Sequence, residues 1–418
     1  MPWKRPARLH PQAATYLIGA ALGLFAVLVV AAAKDAFEAS LFGLRLWFDA
    51  VLPALLPFFV LSEVMRAYGV IHFAGVLLEP LMRPLFNIPG AGGFAFAMGL
   101  VSGYPLGAII TARLCRERLL NAVEGERLVS LANTADPLFM AGVVAAGFFR
   151  IPEAGGVLTV AHYASVLMVG WIGAWHERAA PATPPLEARA SEPLWRRAAL
   201  AMVKARQADG RPFGQVLGDA LKDAMASMLL VGGTIMLFSV LLRVLEQLGV
   251  VPALGRLAGA ALALVGLHPA LAEAAVRGLF EITNGTQAAS QAAAPLPGRL
   301  AVASFVIGWS GVSVHAQVAA VTEKTGIRMG PYVRARLLHG LLAALTTLAL
   351  LALGLGPHLP ALAPAWPQRP GGAWSLAVLA WRARVGLLLA GLTLAGLAAG
   401  SAVRGAVRLA RLTWGARR

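Results

Sequence analysis

Cysteine is almost absent from this chain. Cys115 is the only one among 418 residues, so no intramolecular disulfide forms and no thiolate metal cluster can assemble. Charge is scarce as well: Asp, Glu, Lys and Arg make up 13% of the residues, about half of the roughly 25% in an ordinary soluble domain. That composition excludes a water-soluble fold of the usual kind. Enzyme signatures are missing too. There is no zincin His pair, no Gly-x-Ser-x-Gly elbow and no phosphate-binding loop, and the eight histidines are scattered without metal-ligand spacing. An enzyme is therefore not expected, nor a cofactor or a metal centre. A membrane scaffold would need large soluble surfaces, and the only sizeable polar stretch is 176–212.

Apolar residues, by contrast, make up 58% of the chain, and they recur in runs of about 18 residues or more, enough to cross a bilayer core. Candidate spans are 14–33, 46–66, 92–112, 128–149, 155–175, 220–242, 278–294, 300–322, 337–356 and 385–403. Two shorter segments, 71–88 and 251–267, are rich in Pro or Gly and read either as crossings or as re-entrant hairpins. The first run follows Lys4, Arg5 and Arg8 and is long for a cleaved signal, so it reads as a retained span. The expectation is an all-α polytopic membrane protein of about ten to twelve spans, with the lipid bilayer as its surroundings and an oligomeric state left open.

The net charge of +16 does not point to nucleic acid, because the basic residues cluster in short connections and at the termini, where membrane insertion uses them. With twelve spans both termini lie on the cytoplasmic side. That side then receives the basic start, four basic residues in 113–127, seven in 176–212, four in 323–336 and five in 404–418. Arg382 and Arg384 fall at the outer end of the last span and read as snorkelling side chains.

The Pro-containing stretch 176–212 reads as a cytoplasmic linker between two halves of similar layout, 45–175 and 213–356, flanked by 1–44 and 357–418. Each half opens with a long helix preceded by an acid and an alanine, Asp49-Ala50 and Asp223-Ala224. It continues with a short segment, two spans interrupted by polar residues, and an unbroken span. Under the twelve-span count the halves are inverted repeats with broken or re-entrant helices, the layout of secondary transporters.

Four polar breaks carry the functional signal. In Gly99–Gly107, Pro105 and the glycines Gly103 and Gly107 interrupt a helix beside Ser102 and Tyr104. An unwound turn there can offer backbone amides to a polar ligand; a Pro kink with close small-residue packing is the structural alternative. In Leu131–Leu138, Asn133, Thr134 and Asp136 precede Pro137. An intramembrane carboxylate is a functional candidate by default, although Asp136 can equally cap a helix starting at Pro137. In Glu281–Gln287, the turn dipeptide Asn284-Gly285 stands among Glu281, Thr283, Thr286 and Gln287. In Gly308–Gln317, Trp309, Ser313 and Gln317 share a helical stripe, with Ser310 three residues before Ser313 and His315 nearby. Breaks at corresponding places in two halves are most economically explained by one central polar site.

The phrases Leu100–Gly107, Asn133–Pro137, Glu281–Gly285 and Gly308–Gln317 together resemble the YlbJ/SpoVV family of sporulation integral membrane proteins, over roughly residues 45–356. That family belongs with the nucleoside-recognition or gate domain proteins, which look like relatives of concentrative nucleoside transporters. The resemblance implies transport of dipicolinic acid across the outer forespore membrane, from mother cell toward spore; a nucleoside or other small-solute transporter is the alternative. Tyr104 or Trp309 could supply an aromatic face for such an anion, and half-helix starts could supply donors. Asp136 and Glu281 would repel it unless turned away, protonated or screened by a cation, so they are the candidates for coupling to a proton or cation.

Overall fold

The computed structural model describes residues 11–184 and 193–355, and every element among them is helical. The start Lys4–Arg8, the span 385–403 with Arg382 and Arg384, and the tail 404–418 lie outside the described residues.

Helix α1 (Pro11–Ala31) is apolar throughout, and α2 (Ala33–Leu46) leaves it at a bend of 98°. A π-helical turn, Trp47–Val51, continues into α3 (Leu52–Ala67). The chain then turns through Gly69 at φ 77° and α4 (Val70–Phe86) sets off at 85°. Gly69 is required twice over, since its φ is left-handed and a Cβ there would lie 2.4 Å from the Met202 carbonyl. There follow α5 (Ala91–Ser102), α6 (Leu106–Arg116), α7 (Ala122–Ala132), a π-helix Leu138–Phe148 and α8 (Ala154–Gly173).

The stretch read as a linker contains a helix of its own, α9 (Leu194–Asp209), whose Ala198 and Ala201 pack on Val76 of α4. Next come α10 (Phe213–Gln247), α11 (Val250–Leu264), a 3-10 turn at Pro269–Leu271, α12 (Ala272–Phe280), α13 (Ile282–Gln291), α14 (Leu296–Trp309), α15 (Gly311–Thr322) and α16 (Met329–Ala352). Both short segments are helices, each entered through a left-handed glycine, Gly69 and Gly249.

By length and apolarity four stretches among the described residues can cross a bilayer unaided: Ala154–Gly173, Phe213–Gln247, Leu296–Thr322 and Met329–Ala352. Counting each of the two bent pairs as one span makes six. Most remaining candidate spans are those the sequence marks as interrupted, and they fold as the pairs α5–α6, α7 with the π-helix, and α12–α13. Asp223, unlike Asp49, does not precede its helix as expected. Asp49 lies in the π-turn and Asp223 well inside α10, because α10 begins before the apolar window that defined the span.

An order of two helices, two interrupted pairs and a long helix runs through α3–α8 and again through α10–α16. The core lies where α16 packs between α8 and α14. There Gly308 and Gly340 let two backbones touch: a Cβ on Gly308 would come within 2.8 Å of the Gly340 Cα. The two largest fully buried side chains among the described residues belong to α16, and both are polar: Arg336 and Tyr332.

Candidate functional site

Each of the four breaks takes its shape from a local cause. At the first, α5 ends on Ser102, Gly103 takes φ 76° and ψ −169°, and Pro105 precedes α6. At the second, α7 stops at Ala132 and four non-helical residues lead to Pro137. The Asp136 carboxylate accepts the Phe139 amide at 2.9 Å, capping the π-helix. These two breaks interlock. A Cβ on Gly99 would meet the Ala132 carbonyl at 1.8 Å, one on Gly107 the same carbonyl at 2.0 Å, and one on Gly103 the Asp136 Oδ2 at 2.4 Å.

The third break differs from expectation. Asn284-Gly285 is not a turn; the chain breaks three residues earlier, at Glu281, which is extended at φ −145° and ψ 128°. Its Oε2 accepts the Asn284 amide at 2.7 Å, so α13 starts there and takes the Asn-Gly pair into its first turn. A side-chain cap and the rest of a ten-residue helix outweigh the turn preference of two residues. At the fourth break Ser310 is left-handed at φ 71° and separates α14 from α15. Trp309 therefore does not share a helical stripe with Ser313 and Gln317, which stay together on α15. The third and fourth breaks also interlock, with Gly311 against the Phe280 carbonyl and Glu281, and Gly285 against Gly278.

Helix α16 joins the two pairs. The Asn133 amide donates to the Tyr332 hydroxyl at 2.7 Å, and the Tyr332 ring lies 5.3 Å from the His315 ring, which in turn lies 4.3 Å from Trp309. Tyr104 donates across the same boundary to the Ile307 carbonyl at 2.8 Å. Arg336 donates to the carbonyls of Asn133 at 2.7 Å and Ser130 at 2.6 Å, the unsatisfied acceptors at the C-terminal end of α7. Helix α8 adds His162, whose Nε2 accepts the Ala135 amide at 3.1 Å, and Tyr163, which donates to the Leu100 carbonyl at 2.7 Å. His339 of α16 donates through Nε2 to the His162 carbonyl at 2.9 Å, with the two rings 4.3 Å apart.

Tyr104, Asn133, Ser310 and His315 thus lie against α16, and Ser102, Gly103, Thr134, Asp136 and Ser313 belong to the same three breaks; all nine are buried or partly so. Thr134 is held on the Gly99 carbonyl at 3.1 Å, and Gln317 is buried one turn beyond Ser313. Thr286 is satisfied inside α13 by the carbonyls of Ile282 and Thr283, and Asn284 and Gln287 are only half-buried, so the third break contributes mainly Glu281 and Thr283 to the interior. Tyr332, Arg336, His339, His162 and Tyr163 were not anticipated. Arg336 had been counted among the basic residues of a cytoplasmic connection, yet it is 0% exposed. No group of three or more His, Cys, Asp or Glu side chains fit to hold a metal occurs among the described residues.

Away from the breaks, the basic connections converge at one end. Arg328 pairs with Glu126 at 2.6 Å and Glu177 at 2.5 Å, His176 reaches Glu126 at 2.7 Å, and Arg127 donates to the carbonyls of Asn87, His176 and Glu177. Burial would raise the Glu126 carboxyl, but the bonds donated by Arg328 and His176 outweigh it and hold the group below its usual range.

The fold and site define an all-helical integral membrane protein with interrupted helices meeting around a buried polar centre. Residues 48–168 match the family model described as Gate, nucleoside recognition. The chain is 41% identical over 336 residues to the sporulation integral membrane protein YlbJ of Bacillus subtilis (strain 168), covering 80% of this chain and 82% of that one. It belongs to the YlbJ family of sporulation integral membrane proteins. Among solved structures it is similar to CNTnw in an inward-facing substrate-bound state, at 15% identity and a TM-score of 0.37 over 85% of this chain and 88% of that one. A likeness at that level is too weak to carry an inference.

Proposed function

We propose that the chain is a membrane transporter of a small organic anion, and that in a sporulating cell this anion is dipicolinate, moved across the outer forespore membrane. The observation that carries the reading is the meeting of helix interruptions from both halves of the chain at and beside α16: the second break holds Tyr332 and Arg336, the fourth sets His315 against Tyr332, and Tyr104 of the first reaches Ile307 of α14. Packing alone would fill such a place with apolar side chains, because buried polar groups are expensive in a bilayer. Membership in a sporulation family and the gate match support the setting.

In this reading the two halves are inverted repeats, the basic connections and both termini face the cytoplasm, and the interrupted helices rock about the site. Asp136 and Glu281 are the coupling candidates. Each carboxylate is turned onto an amide of its own half-helix, so neither has to face the anion while uncoupled. The gate match also favours a second reading, transport of a nucleoside.

Complementation separates the two. In an endospore-former lacking its own copy, this chain should restore dipicolinate accumulation in spores, and Ser102→Ala, Asn284→Ala or Ser310→Ala should weaken it without removing the protein from the membrane. Normal accumulation in all three variants would make the breaks packing features.

A further inference from the structure

Arg336 is 0% exposed, in the middle of the described molecule, and pairs with no carboxylate among the described residues. Asp136 and Glu281, the nearby interior acids, are spent on their helix caps. Two guanidinium nitrogens are taken by the α7 carbonyls, whose partial negative charge offsets only part of a buried cation's cost. The Nε–H has no partner at all.

Arg336 is not alone in this. Arg336 Nε, Asn133 Oδ1, His162 Nδ1 and His339 Nδ1 are all buried without a hydrogen-bond partner, and they belong to Arg336 itself, to a residue whose carbonyl it holds, and to the histidine pair one turn along α16. The hydrogen-bond network assigns their roles. His162 accepts through Nε2, so its Nδ1 carries a hydrogen; His339 donates through Nε2, so its Nδ1 is an acceptor. Two idle donors and a fixed positive charge are gathered where native proteins leave very few groups unsatisfied.

We propose that Arg336 is the counter-charge of the transported anion, taking a substrate carboxylate on the guanidinium edge that carries Nε, with His162 Nδ1–H as a neighbouring donor. The assignment rests on the anion-transport reading above. A guanidinium suits this task because its planar fork matches a carboxylate and keeps its charge when buried. The ligand class is a carboxylate on a compact, planar frame. A bound carboxylate would satisfy the idle donors and neutralise Arg336.

The test is equilibrium binding of dipicolinate, isophthalate and the neutral diamide of each to the purified full chain, wild type against Arg336→Gln and Arg336→Lys. Wild type should prefer a dianion over its diamide, and Arg336→Gln should cut that preference by about 30-fold or more. Arg336→Lys, which keeps the charge and serves if the Gln variant does not fold, should keep the preference while binding the dianion about tenfold more weakly. Unchanged preference in Arg336→Gln, or unchanged affinity in Arg336→Lys, overturns the assignment and leaves anion transport standing. A wild type that ignores dipicolinate but prefers isophthalate through Arg336 overturns the dipicolinate reading and supports the assignment. No preference for any dianion in wild type overturns both.

Discussion

Asp136 and Glu281 do two jobs that substitution can pull apart. Each caps a half-helix through a carboxylate oxygen at the third amide onward, and the amide oxygen of Asn or Gln can accept the same bond. Asp136→Asn should therefore leave thermal stability nearly unchanged, while Asp136→Ala should lower it by about 1 kcal/mol. If either acid couples transport, Asp136→Asn or Glu281→Gln should lose pH- or cation-driven accumulation yet still exchange substrate; unchanged dependence in both leaves only the caps. Gly99 and Gly107 are a different matter. A methyl group at either would run into the Ala132 carbonyl, so Gly99→Ala or Gly107→Ala should destabilise the purified protein by about 1–3 kcal/mol, with a lowered melting temperature as the readout. These residues were legible in the sequence because Pro and Gly mark a break wherever they fall. Arg336 was not, because it stands one residue before the apolar run 337–356 and looked like the last charge of a basic connection. His162 was legible in principle, as an ionisable residue inside an otherwise apolar span.

Among the elements, the interrupted pairs owe their form to local chemistry and their position to glycine contacts between pairs. The Asn284-Gly285 reading went astray since a two-residue preference was weighed without the carboxylate three residues before it. The ends of α10 escaped a hydropathy window because the helix continues amphipathically past its apolar stretch. The connections carry their own prediction. Glu126, 1% exposed, ties Arg328 and His176 to the start of α7. Its carboxyl lies below its usual value in the folded chain, so its stabilisation is present above the unfolded pKa of about 4.3 and is lost as pH falls through the lower folded value. Acid titration of thermal stability should therefore show a loss below about pH 4 that is smaller in Glu126→Gln. An identical acid profile in that variant would remove Glu126 from the latch.

For the molecule as a whole, sequence patterning conveyed the helical class and the interruptions, since each depends on composition over short windows. It could not convey that α16, an apparently plain span, supplies the residues that join the two pairs of breaks. That depends on which helices pack together. The basic connections 113–127, 176–184 and 323–328 meet at one end, and on the transporter reading that end is cytoplasmic. Single cysteines placed at Arg178 and Lys324 in a Cys115→Ala background should both resist an impermeant maleimide applied from outside intact cells, and labelling of either would reverse the orientation. The central claim is that these broken helices enclose a pathway for an organic anion. Uptake of radiolabelled dipicolinate by proteoliposomes holding the full chain tests it most directly. The account predicts saturable uptake that unlabelled dipicolinate competes and nucleosides do not; no uptake above protein-free liposomes, or uptake abolished by a nucleoside, would contradict it.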